Sequence, residues 1–464
     1  MRVEEQNTLV VGFARSGLAA ANFLLRRGAR VTITDMKTEE ELKEWISQLV
    51  EPPRLSLGGH NAEDFLGADF IVLSPGVPSN LPELRKASEQ GIPIYSEVEL
   101  AYRFLDGRLI GVTGSNGKTT TTTLIGELFK RAGRDCVVAG NIGSPLIRWV
   151  ETPCASGSAP TTFVVELSSF QLETIKKFKC DIALLLNVSP DHQDRYDQFD
   201  DYIRAKQRIF LNQTSQDYAV LNADNPYTLK MSSHCSSSVL LFSRRHELEE
   251  GVFVEDGTIQ ISYQDQKQPL MPVSDIRLKG NHNLENVLAA TGAGVLSGLA
   301  PEVMIEAFLN FAGVEHRLEP VRELNGVVFY NDSKATNLDS ASQALQAFTE
   351  PLILLMGGQD KGADFGVLRP LVAQRVKLLV LLGAAGDRIL EALGKVVPTV
   401  FAKDMKQAVE LAYEKAVPGD AVLLSPGCAS FDMFENFEHR GRVFKREVNA
   451  LARAKEESNG AIEQ

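Results

Sequence analysis

Residues 108–131 read RLIGVTGSNGKTTTTTLIGELFKR. The apolar run into Val112 suits a buried strand, and the stretch after Lys118 suits a helix that stops at Gly133. Between them lies Thr113-Gly114-Ser115-Asn116-Gly117-Lys118-Thr119. The glycines let successive N–H groups line an anion nest, Lys118 neutralises phosphate charge, and the Thr119 hydroxyl can ligate Mg²⁺. Val112 stands where the usual GxxxxGK[ST] pattern has its first glycine. A loop of this composition between strand and helix is expected to bind the phosphates of ATP. It sets the fold class as α/β.

A second glycine loop lies near the start of the chain, in VVGFARSGLAA (residues 10–20). It follows a strand expected over 7–13, opens a helix over 16–27 closed by Gly28, and precedes a strand over 29–35 that ends in Asp35. That is the layout of a dinucleotide fingerprint, but Ala14 takes the middle glycine position, where backbone must approach a pyrophosphate closely. The methyl group weighs against NAD. Another nucleotide or diphosphate, held at a helix N-terminus, and a purely structural turn both remain open.

Apolar β-rich runs alternate with helical patterns along almost the whole chain, as in parallel sheets covered by helices. The runs FIVLSPG and IPIYSE complete a first unit near Ser96. A second unit takes in TTFVVELS, DIALLLNV, DYAVLN and SVLLFS, a hairpin turning at Asp256-Gly257, and the closing helix of GNHNLENVLAATGAGVLSGL. GVVFYND, PLILLMGG, VKLLVLLG and AVLLSPG form a third unit, followed by a tail expected to fray after about Ala454. The expected architecture is therefore three domains, 1–96, 97–313 and 314–464, each on a mainly parallel sheet. The outer two are Rossmann-like and the central one is a P-loop ATPase.

With 464 residues, several cores are expected. The formal net charge of −12 argues against a nucleic-acid or acidic-membrane binder. Five scattered cysteines without a CxxC fit a reducing compartment and no zinc ribbon. MRVEEQNT lacks the apolar core of a signal peptide, and the longest apolar runs are short for a bilayer. A cytoplasmic protein without membrane insertion is expected.

Two strand ends in the central unit carry metal-ligand chemistry. FVVELSS brings Glu166 to the carboxyl edge of the sheet, and NVSPDHQDRY brings Asp191, His192 and Asp194. Read singly, Glu166 is a capping acid and His192 a surface histidine; beside a phosphate loop, Mg²⁺ ligation is favoured. In DDYIRAKQRIF, Lys206 interrupts the apolar face of Tyr202, Ile203, Ile209 and Phe210. Snorkelling toward water is the plain explanation. Burial would favour the neutral amine, which reacts with CO₂ to a carbamate, an additional carboxylate for a magnesium site.

The motifs TGSNGKTT, GNIG, ELSSFQLE, NVSPDHQDRY, GNHNLEN, EHRLE, NDSKATN, GGQDKGADF and SPGCASFDMFENFEHRG together resemble the Mur ligases, in family order across almost the whole chain. TGSNGKT alone is shared with folylpolyglutamate synthetase. DHQDRY, NDSKATN and SPGCASFDMFENFEHRG point to the members that add D-glutamate. The resemblance implies addition of D-glutamate to UDP-N-acetylmuramoyl-L-alanine, with ATP converted to ADP and phosphate through an acyl phosphate, in peptidoglycan precursor synthesis. It implies a monomer, and a domain that closes over the site to exclude water.

By the same resemblance, the first loop holds the UDP diphosphate, with Arg15, Ser16, Asp35, Met36, Lys37, Ser74 and Gly76 toward the UDP-sugar. Gly114, Ser115, Asn116, Gly117, Lys118, Thr119 and Thr120 hold ATP, joined by Asn141, Asn283, Asn286, His316, Arg317, Asp332 and Lys334. Thr119 and Glu166 would serve one Mg²⁺, and His192 with a carbamylated Lys206 a second; Lys118, His192 and Lys206 are the catalytic set. Thr336, Lys361, Ser430 and Phe437 match a D-glutamate pocket. Without the resemblance, Lys361 reads as a solvated loop lysine and Ser430 as a helix cap. A dehydrogenase fused to a nucleotide-binding module is the reading from another class; Ala14 and the lack of a hydride-transfer pair oppose it. A nucleotide switch would leave Glu166, His192 and Lys206 without a purpose.

Overall fold

The computed structural model describes residues 1–150, 161–191, 195–196, 198–278, 280–360 and 362–460, with 452–460 as backbone only. By their contacts these residues form two units. One comprises 1–275 with 285–310, the other 276–284 with 311–464.

The first unit holds two sheets. Five parallel strands run in the order Arg54–Leu57, Arg30–Asp35, Asn7–Val11, Phe70–Leu73, Ile94–Ser96. The order reverses direction at Asn7–Val11, so the loop after that strand sits at the topological switch point. This strand stops at Val11, short of the expected 13, because Gly12 turns away with φ +86°. Gly17 lets the following helix, Arg15–Arg26, pass close to the Gly12 carbonyl; a Cβ at Gly17 would collide with that oxygen.

Nine strands make the second sheet. Its parallel part runs Gly251–Glu255, Ser238–Ser243, Tyr218–Asn222, Ile182–Leu185, Arg108–Thr113, Thr162–Glu166, Cys136–Gly140. The expected hairpin closes with Glu255 opposite Thr258, and Asp256 and Gly257 both have positive φ (45° and 72°), as a two-residue turn of the primed type requires. A further antiparallel strand, Gln266–Pro272, was not evident in the sequence; its two prolines are tolerated because it lies at the sheet edge beside a register shift.

The second unit has six strands, Glu319–Leu324, Val327–Asn331, Ala421–Leu424, Leu352–Gly357, Val376–Leu382, Thr399–Phe401. All pairings are parallel except that of the first strand. The tail continues as helix to Gly460, since no proline or earlier glycine interrupts residues 442–459. The fold class is the one expected, α/β on mainly parallel sheets. No helix among the described residues is long and apolar enough to cross a membrane.

Candidate active site

Glu166 ends its strand directly opposite Val112, the last residue before the phosphate loop. The two neighbours are tied by Leu167 N–H to the Val112 carbonyl (2.9 Å) and by the Thr113 hydroxyl to the Leu167 carbonyl (2.8 Å). The loop itself turns on Gly114 (φ +156°) and Gly117 (φ +84°), and the helix Lys118–Arg131 starts from Gly117. A Cβ on Gly117 would strike the Asn286 amide oxygen, so glycine is required there twice over. Asn286 also accepts from the Thr121 hydroxyl (3.2 Å), which fixes the closing helix against the helix behind the loop.

Charge concentrates at this edge. Lys118 Nζ donates to the carbonyls of Gly114 (2.9 Å) and Ser115 (2.7 Å). Lys206 Nζ donates to the Gly114 carbonyl (2.7 Å) while only 1% exposed, and stands 4.5 Å from the Tyr202 ring centroid. Lys206 does not snorkel. Burial, and secondarily the repulsion of Lys118, hold its ammonium well below the usual lysine pKa, against the opposing pull of Asp191 and Glu166. Glu166 is 2% exposed; Asn141 Nδ2 donates to its Oε1 (2.7 Å), and its buried Oε2 has no hydrogen-bond partner among the described residues. A buried, unpartnered carboxylate oxygen beside a phosphate nest is chemically suited to a divalent cation.

The first glycine loop is organised by Asp35. Its Oδ2 accepts from Phe13 N–H (2.6 Å) and its Oδ1 from Lys37 N–H (2.9 Å), while the Ser74 hydroxyl donates to the Gly12 carbonyl (2.7 Å). Met36 beside it is 67% exposed; Ser16 lies in the first turn of the helix Arg15–Arg26, and Gly76 in the loop after the strand Phe70–Leu73. Arg15 reaches from the helix to the Gly143 carbonyl of GNIG (3.2 Å), linking this loop to the segment that carries Asn141.

In the second unit Asp332 is fully buried. Its oxygens accept from Leu318 N–H (3.2 Å) and the Ser425 hydroxyl (2.9 Å), with Arg317 3.6 Å away. Burial pushes its carboxyl up to about 6. His316 and Leu318, on either side of Arg317, hold positive φ (66° and 44°) without being glycine, a strained turn that the Asp332 contacts stabilise. Lys334 N–H bonds the His316 carbonyl (3.1 Å), and Lys334 Nζ lies 4.9 Å from the Phe437 ring centroid. Thr336 N–H bonds the Lys334 carbonyl (2.9 Å); Ser430 is buried, its carbonyl taking Phe434 N–H (2.9 Å). The helix Asn281–Leu296 contributes Asn283 to this unit and Asn286 to the other.

Three family models match consecutive stretches: "Mur ligase MurD-like, N-terminal domain" over residues 6–96, "Mur ligase middle domain" over 112–294 and "Mur ligase, glutamate ligase domain" over 316–428. The chain belongs to the Mur ligase family. It is 46% identical to the UDP-N-acetylmuramoylalanine--D-glutamate ligase of Koribacter versatilis over 97% of this chain and 99% of that one. It is 47% identical to the protein of the same name from Acidobacterium capsulatum, over 96% of each. In fold it is similar to UDP-N-acetylmuramate-alanine ligase from Thermotoga maritima (TM-score 0.60, 17% identity, 96% and 99% coverage). It is also similar to a MurF ligase from the same organism, solved in complex with ADP (TM-score 0.60, 16% identity, 97% and 96% coverage).

Of the residues of this Mur ligase read from sequence, His192, Asp194 and Lys361 lie outside the described residues. Others escaped sequence reasoning. Asn187 exchanges both amide atoms with the backbone of Asn116 (2.9 and 3.2 Å), and its carbonyl accepts Ser115 N–H (3.0 Å). Arg440, 2% exposed, donates to the Ser333 hydroxyl and carbonyl and to the carbonyls of Cys428 and Ala429. It thereby ties NDSK to GCAS. Arg195 donates to the carbonyls of Pro75 and Val77 (3.2 Å each) and pairs with Glu173. The only hint in sequence was that each sits inside a motif.

Proposed function

We propose that this Mur ligase joins D-glutamate to UDP-N-acetylmuramoyl-L-alanine at the expense of ATP. The observation carrying the reading is the convergence of phosphate loop, Glu166 and Lys206 at one sheet edge in a chain nearly half identical to ligases of that name. The substrate carboxylate attacks the γ-phosphorus, the bond to the bridging oxygen breaks, and ADP leaves. The glutamate amine then attacks the acyl carbon and expels phosphate, losing a proton. Two anions must meet in the first step, so positive charge at the loop does most of the work.

We assign the loop of residues 114–119 to the ATP phosphates, with the N–H groups of Gly117, Lys118 and Thr119 as donors, Lys118 to neutralising charge on the transferred group, and Thr120, Asn141 and Asn286 to the nucleotide beside it. Glu166 Oε2 and Thr119 fit one Mg²⁺, and His192 with Lys206 would serve a second. Mg²⁺ supplies charge neutralisation and orientation of the phosphates when bound. A neutral Lys206 amine is competent to add to CO₂, forming the N–C bond and releasing a proton, and the resulting carbamate would supply a second carboxylate-type ligand beside Glu166. Asn283, His316, Arg317, Asp332 and Lys334 are assigned to the nucleotide, and Thr336, Lys361, Ser430 and Phe437 to D-glutamate. The UDP portion is assigned to Arg15, Ser16, Asp35, Met36, Lys37, Ser74 and Gly76. The three sheets with their flanking helices, 1–96, 97–313 and 314–464, would take sugar nucleotide, ATP and amino acid in that order.

An isotope test addresses the chemistry. With heavy oxygen in the substrate carboxylate, the acyl-phosphate route delivers one labelled oxygen to the released phosphate. Unlabelled phosphate from a coupled turnover would rule the route out.

A further inference from the structure

The short helix Glu97–Tyr102 buries two acids that the chemistry above does not use. Glu97 is 1% and Glu99 0% exposed. Each grips the backbone of a different loop. Glu97 accepts from Ile147 N–H (2.6 Å), at the start of the 3₁₀ turn Leu146–Trp149. Its Oε2 is buried with no hydrogen-bond partner among the described residues, and burial pushes its carboxyl up to about 7. Glu99 accepts from the N–H groups of Lys176 (2.8 Å), Lys177 (3.0 Å) and Phe178 (2.8 Å) and pairs with Arg103 (2.6 Å).

Both loops lead back to Glu166. The first begins at Gly140, whose N–H bonds the Ser144 carbonyl (3.0 Å), and carries Asn141, the donor to Glu166 Oε1. Its Gly143 carbonyl receives Arg15 from the first glycine loop. The second begins at Glu166 itself and runs through the helix Ser169–Glu173. A buried acid such as Glu97, held by a backbone N–H without a cation beside it among the described residues, is costly, and replacing it by an apolar residue would be easier if folding were its sole purpose.

We propose that Glu97 and Glu99 are positioning residues which clamp the far ends of these two loops and so fix the Asn141–Glu166 pair at the phosphate edge. The clamp rests on the ligase reading for its catalytic consequence, but its mechanical part does not. Glu97→Leu keeps the volume and removes the acceptor, whereas Glu97→Gln keeps an acceptor oxygen.

The full-length protein is compared as wild type, E97L and E97Q, by hydrogen exchange and by steady-state kinetics. Exchange in E97L is expected to accelerate over residues 140–149 and to stay unchanged over 174–178; E99Q should show the reverse. In turnover, E97L should lose about tenfold or more in kcat with KM for D-glutamate held within about twofold. E97Q should keep roughly a third or more of kcat, since one acceptor survives. Wild-type kcat in E97L, or exchange accelerated equally across the chain, overturns the clamp. If E97L does not fold, E97D, one methylene short of the 2.6 Å contact, carries the same expectations. A wild-type protein that releases no phosphate with D-glutamate would sink the ligase reading alone, because the exchange contrast needs no turnover.

Discussion

Lys206 shows how one side chain trades stability for chemistry. Its folded pKa is depressed, so the unfolded chain binds the extra proton below the ordinary lysine pKa, and the stability lost to burial returns only as pH rises toward that value. Lys206→Met should therefore raise Tm by about a few degrees near neutral pH, with the gain shrinking toward pH ~10. Lys206→Ala should cripple turnover, and added bicarbonate should not restore it; full activity in that variant would return Lys206 to a packing role. Glu97 has the opposite sign, a carboxyl raised from 4.5 to about 7. Its folded state keeps a proton that the unfolded chain loses, so stability is full below the unfolded value and falls as pH rises through the folded one. Urea unfolding should find E97Q more stable than wild type by up to about 3 kcal/mol near pH 8 and equal near pH 4.

Elements were legible in the sequence where a local rule decides them. The phosphate loop and the turn at Asp256-Gly257 follow from glycines that must adopt positive φ, and the alternation of apolar runs with amphipathic stretches gave the parallel sheets. The strand Gln266–Pro272 was not legible, because its prolines are permitted only by an edge position that the sheet itself creates. Nor were Glu97, Glu99, Asn187 and Arg440. Their partners lie far along the chain, as with Glu97 and Ile147 or Arg440 and Ser333, and no spacing rule connects them. The sequence showed Lys206 as an interruption of an apolar face and a candidate for carbamate formation; that it points inward, onto the Gly114 carbonyl, is a tertiary fact. At this scale Gly117→Ala should cost roughly a hundredfold or more in kcat/KM, since it strains the backbone and displaces Asn286 together. Arg440→Met should raise KM for D-glutamate by about tenfold by releasing the Ser333 and Cys428 loops from one another, with KM for the sugar nucleotide unchanged.

Across the whole molecule, the division of labour explains why one chain carries two glycine loops. The loop at Gly12 lies at a switch point shaped by Asp35, and the loop at Gly114 lies beside Glu166 and Lys206. In the proposed reading the first takes the diphosphate of a sugar nucleotide and the second a triphosphate, and Arg15 on the Gly143 carbonyl joins the two segments. The most direct measurement is phosphate release from ATP with Mg²⁺ and UDP-N-acetylmuramoyl-L-alanine, run against a panel of D- and L-amino acids. Release that depends on D-glutamate is the expected result. Release with L-amino acids alone, or with none of the panel, would contradict the assignment.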